Sequence, residues 1–104
     1  MEGRKVFLHS LLTVKGAVND LIEMQKGVVL LSDTKNGRVH FTVPSGASRH
    51  ELRFTIVDIG HNRSCVTIST SNETGGGDAL IDRTFILLDA LLRAENEIEV
   101  ITDL

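Results

Sequence analysis

A chain of 104 residues, 41% hydrophobic and 24% charged, is long enough for one domain around one buried core, here residues 1–104 as a single unit. Its net charge of −3 is spread over interspersed acidic and basic residues, and its four phenylalanines come with no tyrosine or tryptophan, which argues against a nucleic-acid interface. The single cysteine, Cys65, rules out an internal disulfide and fits a reducing, cytoplasmic setting; no run approaches 18 apolar residues, so no membrane span is expected.

The opening MEGRKVFLHSLL lacks the uninterrupted apolar block and small-residue cleavage site of a signal peptide. Residues 4–9 read as a short strand. A helix over about 13–26 is better supported, because Val14, Val18, Leu21, Ile22 and Gln25 follow helical spacing. Lys15, Asn19, Glu23 and Lys26 fall on the opposite side. Gly27 stands where a left-handed C-terminal cap belongs.

In VVLLSDTKNGRVHFTV, Asn36-Gly37 between two strand-like runs predicts a two-residue type I′ hairpin. That turn sets Lys35 opposite Arg38, Asp33 opposite His40, Ser32 opposite Phe41 and Leu30 opposite Val43. Alternation then places Val28, Leu30, Val39, Phe41 and Val43 on a core face. Val29, Leu31, Asp33, Arg38, His40 and Thr42 lie on the other. Residues 44–48 read as a loop by composition. The runs HELRFTIVDI and SCVTIST follow, joined through a turn at Gly60-His61-Asn62-Arg63. Leu52, Phe54, Ile56, Val66 and Ile68 face the core, against a second face of Arg53, Thr55, Val57, Cys65, Thr67 and Ser69.

Gly75-Gly76-Gly77 reads as a corner and not a phosphate cradle, because Glu73, Asp78 and Asp82 surround it with negative charge. Asp78 is the expected N-cap of a helix over about 79–94. Leu80, Ile81, Phe85, Leu87, Leu88, Leu91 and Leu92 fill about half of its circumference, an arc that includes Thr84 and leaves Ile86 outside. The ending ENEIEVITDL alternates charge with apolar residues, which fits an edge strand or a loose tail.

Chemistry-bearing residues are few. His9, His40, His50 and His61 share no metal-ligand spacing and no second cysteine joins Cys65, so neither a metal nor another cofactor is expected. The predicted Asp33–His40 cross-strand pair is the one candidate for an oriented general base, and it comes with no nucleophile or oxyanion element. As a plain cross-strand ion pair it contributes less than about 1 kcal/mol. Two surfaces are more apolar than solvation requires: the threonine-rich second sheet face and the wide arc of the last helix. A ligand, a second subunit, or the first helix and tail would each cover them.

The order of helix, antiparallel strands, glycine-rich corner and long C-terminal helix resembles a shortened helix-grip domain of the Bet v 1/START-like superfamily. ELRFTIVDIG, SCVTISTSN and GGGDALIDRTFILLDALL carry the resemblance, about half of the chain. It implies a long helix laid over a curved sheet, with an apolar ligand between them. The chain has room for fewer strands than such domains usually have, and no functional residue of the superfamily transfers to it.

The expected fold is α+β: a four- or five-stranded antiparallel meander with both helices on one face. The leading functional expectation is a cytosolic binding module without catalysis that holds an apolar small molecule under the last helix. Phe41, Phe54, Ile56, Ile68, Phe85, Leu88 and Leu92 would line that site, and the same residues are plain core if no ligand is held. A homo-oligomeric interaction module, such as a homodimer, is the alternative, and an enzyme using Asp33 and His40 the third.

Overall fold

The computed structural model describes residues 2–70 and 77–102. In chain order the elements are β1 (Glu2–Phe7), α1 (Leu11–Met24), β2 (Val28–Asp33), a single 3-10 turn (Thr34–Asn36), β3 (Arg38–Ser45), β4 (Ser48–Gly60), β5 (Arg63–Thr70) and α2 (Gly77–Thr102). The strands form one antiparallel sheet in the order β1-β5-β4-β3-β2. The fold is α+β: β2 to β5 form a meander, and the N-terminal strand closes it by pairing with β5. Both helices pack on the same sheet face.

Sequence explains why α1 begins and ends where it does. Ser10, in extended conformation, accepts a hydrogen bond from the Thr13 amide through Oγ at 3.3 Å. At the other end the Lys26 amide donates to Glu23 O at 3.1 Å and the Gly27 amide to Ile22 O at 2.8 Å, the paired bonds of a Schellman ending. The left-handed residue of that motif is Lys26, with φ 55°, and not Gly27 as its sequence position suggests. Glycine is needed at 27 for space: a Cβ there would stand 2.9 Å from Ile22 Cγ2 and 3.3 Å from the Phe41 ring. Val14, Ala17, Val18, Leu21 and Ile22 are buried on the sheet, following the predicted stripe.

The hairpin at Asn36-Gly37 departs from expectation. Its loop has four residues, because Asp33 caps the 3-10 turn. Asp33 Oδ1 accepts from the Asn36 amide at 3.3 Å and Oδ2 from Asn36 Nδ2 at 2.8 Å. Only Gly37 is left-handed, with φ 66°. Asp33 therefore pairs with Arg38, and His40 lies opposite Leu31. A bulge at Leu30 then slips the register by one residue, so Val29 pairs with Phe41 and Val28 with Thr42. A slip of one exchanges the faces, which puts Val29 on the helix side in place of Val28. Neither Val28 nor Leu30 joins the core. All four residues from Val28 to Leu31 are about half exposed on the sheet edge.

The type I′ geometry appears instead at His61-Asn62, both with φ 55°, between β4 and β5. The expected loop at 44–48 is a tight hairpin: Ser45 pairs with Ser48, and Gly46 takes φ 62°. The remaining strand faces follow the alternation. Phe41, Val43, Leu52, Phe54, Ile56, Val66 and Ile68 are all buried. Fully buried Ser64 donates through Oγ to His9 O at 2.9 Å and ties the link between β1 and α1 to β5.

Helix α2 buries Ile81, Thr84, Phe85, Leu88 and Leu92 and leaves Ile86 exposed, as its wheel predicts. It begins earlier and ends later than the predicted 79–94. Asp78 lies inside it, and residues 95–102 continue it where an edge strand or loose tail was expected. Glutamate is a good helix former, and extending an existing helix fixes one residue for each bond gained, so alternation over four residues does not outweigh continuation. Gly75 and Gly76 lie outside the described residues, and Gly77 opens α2.

Candidate functional site

The seven residues expected to line a ligand site all belong to the single buried cluster between sheet and helices. Phe41 comes from β3, Phe54 and Ile56 from β4, Ile68 from β5, and Phe85, Leu88 and Leu92 from α2. The Phe41 and Phe54 rings pack at a centroid distance of 5.3 Å, tilted by 47°. Phe85 meets Phe7 at 6.4 Å. Every one of the seven is 9% exposed or less, so they form a closed apolar layer under α2. Ile56 also reaches a small recess beside Lys15, whose Nζ donates to Thr34 O at 3.2 Å.

Asp33 and His40 are not brought together. Asp33 is committed to its own turn, and those hydrogen bonds to Asn36, side chain first, hold its carboxyl below the ordinary value of 3.8. His40 sits in β3 between Leu31 on one side and Arg53 on the other. The oriented pair that the two-residue hairpin implied does not form. Among the described residues, no three His, Cys, Asp or Glu side chains gather in a way that would hold a metal ion.

A different set of residues surrounds an opening beside the start of α2. A cleft of about 390 Å³ lies where the end of α1, the β3–β4 hairpin and the first turns of α2 meet. Its walls are mixed, with Val43 and Pro44 from the hairpin and Leu80 and Leu87 from α2 supplying the apolar part. Three polar side chains join them, Gln25, Arg83 and Thr84. The volume falls within the usual range of small-molecule sites.

Each polar group is placed by local structure. Gln25 is the C-cap of α1, with φ −91° and ψ 7°, so its side chain leaves the helix where the chain turns away. Its Oε1 is buried and has no hydrogen-bond partner among the described residues. Thr84 is buried, and its hydroxyl donates back to Leu80 O at 2.7 Å, a bond made within the helix. Arg83 is exposed and is not ion-paired among the described residues.

The hairpin wall is braced by Arg49. Its Nη2 donates to Thr42 O at 3.0 Å and to Lys26 O at 3.3 Å, and its Nε donates to Thr42 Oγ1 at 2.9 Å. This joins the strand just before Val43 and Pro44 to the residue just after Gln25. Sequence reasoning did not assemble this group. Gln25 was already visible as a polar residue on an apolar stripe, and Thr84 as one inside an apolar arc, but nothing local links either to Pro44.

The opposite sheet face is not covered by either helix. Val57 is 50% exposed, Val6 49% and Ile59 44%. The first helix, one part of the expected cover for this surface, lies on the other side.

No protein-family model matches the chain, and no curated protein sequence matches it. Solved structures do resemble it. A crystal structure from Thermus thermophilus (TTHA0849) is similar over 91% of this chain and 97% of its own, with a TM-score of 0.53 at 15% identity. A START superfamily protein from Mycobacterium smegmatis covers 93% of this chain and 96% of its own, with a TM-score of 0.47 at 14% identity. The Thermus likeness is one of fold, and at its lower score the second adds nothing to that. The layout itself is helix-grip-like: an antiparallel sheet with its long C-terminal helix laid across one face. No helix among the described residues is long and apolar enough to cross a membrane.

Proposed function

We propose that this chain is a small-molecule-binding module without catalysis, holding an apolar compound between the sheet and α2. The observation that carries this reading is the cleft at Gln25, Val43, Leu80 and Arg83, which opens at the edge of the buried layer under α2. An apolar molecule entering there meets Phe41, Phe54, Ile56, Ile68, Phe85, Leu88 and Leu92 as the helix shifts outward. Repacking is the natural mode of entry, since these side chains belong to one buried cluster. The helix-grip-like layout supports the reading, and the unpaired Cys65 supports a cytoplasmic location. Native mass spectra of freshly purified protein test it. A non-covalent mass increment that disappears on denaturation is expected, whereas a bare mass from every preparation together with no saturable binding from a panel of apolar compounds would reject it.

A second reading has its own observation. The β2 edge exposes Val28, Val29, Leu30 and Leu31 without a lysine or proline to blunt it, whereas the other edge, β1, carries Glu2, Arg4 and Lys5. Pairing of two β2 strands about a two-fold axis would make a homodimer and cover these residues.

A further inference from the structure

We infer that the cleft beside α2 recognises an apolar carboxylate that also carries a hydroxyl group. The inference rests on the proposed binding function and adds the chemistry of the ligand. Two independent features of the cleft point to it. First, Arg83 is the one charged side chain among the described lining residues, and among the described residues it has no counter-ion. A guanidinium presents a planar fork of donors that matches a carboxylate, so an acid is the group this rim is built to meet. Second, Gln25 Oε1 is buried and has no hydrogen-bond partner among the described residues. A buried acceptor without a donor carries a desolvation penalty, which a ligand hydroxyl reaching it would relieve.

The remaining wall suits the rest of such a molecule. Val43, Pro44, Leu80 and Leu87 give it an apolar path, and the Thr84 hydroxyl is already engaged with Leu80 O and makes no demand of its own. Arg83 is exposed and Gln25 Oε1 is buried, so the acid sits at the rim and the hydroxyl inside. Arg49 holds Lys26 to the hairpin and so fixes the Gln25 position relative to the Val43-Pro44 wall. The two features thus agree on one orientation.

The test is an amide-shift titration by NMR with three probes of one chain length: 8-hydroxyoctanoate, octanoate and 1-octanol. The wild-type protein is expected to bind the hydroxy acid most tightly, and each acid more tightly than the alcohol by about tenfold, the effect of one charge-assisted contact. Arg83→Gln should remove the preference for acid over alcohol and leave 1-octanol unchanged. Gln25→Met should remove the advantage of the hydroxy acid over octanoate, with the amide spectrum confirming that the variant is folded. Equal affinity for all three probes, or a loss in Arg83→Gln shared equally by acid and alcohol, overturns the inference and leaves the apolar site standing. Absence of saturable shifts with every probe rejects the inference and the binding site together.

Discussion

Gly37 is the position where a single methyl group tests the reading of the β2–β3 turn. Its φ of 66° lies in the left-handed region, where an L side chain costs about 1–2 kcal/mol. A Cβ would also collide with the carbonyl oxygen of Ile56 on the neighbouring strand, so the turn has to move. Movement breaks the bond from the Ile56 amide to Gly37 O, now 2.8 Å, at a further cost of about 1 kcal/mol. Gly37→Ala should therefore destabilise the protein by about 2–3 kcal/mol in total. Gly46 supplies the control. Its φ is 62°, but a Cβ there meets nothing within 4 Å, so Gly46→Ala should cost only the conformational part, about 1–2 kcal/mol. Urea unfolding followed by far-UV circular dichroism measures both. Equal losses for the two variants would refute the argument that the turn is held against β4.

Other residues give further tests. Ser64→Ala leaves the His9 carbonyl without its buried donor and should cost about 1–3 kcal/mol by the same unfolding assay. The Asp33 carboxyl is lowered by its bonds to Asn36, so its stabilisation is complete above the unfolded value near 3.8 and fades as pH falls through the lower folded value. The acid-side slope of stability against pH below 3.8 should then be shallower in Asp33→Asn than in wild type, as read from urea midpoints. Leu30→Lys, on the exposed β2 edge, should change monomer stability by no more than about 0.5 kcal/mol. If β2 pairs with a second copy, light scattering should show that same variant shifting from dimer to monomer.

The elements most legible in the sequence were those whose pattern is set by burial. Alternation in β3, β4 and β5 and the helical stripes of α1 and α2 survive because each buried residue faces one continuous core. The hairpin failed where a side chain intervened: the Asp33 carboxylate stabilises a longer turn than Asn36-Gly37 suggests, and the bulge at Leu30 then exchanges two faces. At 95–102 a short charge alternation was read at a period of two, although a helix was already running through it. The cleft was the least legible part. Gln25, Pro44 and Arg83 are far apart in sequence, and only the ending of α1, the hairpin and the start of α2 bring them to one place. Gln25 and Thr84 were nonetheless visible as polar residues where the pattern called for apolar ones, and such local conflicts are where sites are expected.

The most direct test of the binding site is an NMR measurement of contacts between methyl-labelled protein and 1-octanol, which carries no charge and so does not depend on the acid preference. The account predicts intermolecular contacts at Val43, Leu80 and Leu87, extending to Ile68 and Leu88 beneath α2. Contacts confined to Val6, Val57 and Ile59 on the open sheet face would contradict it.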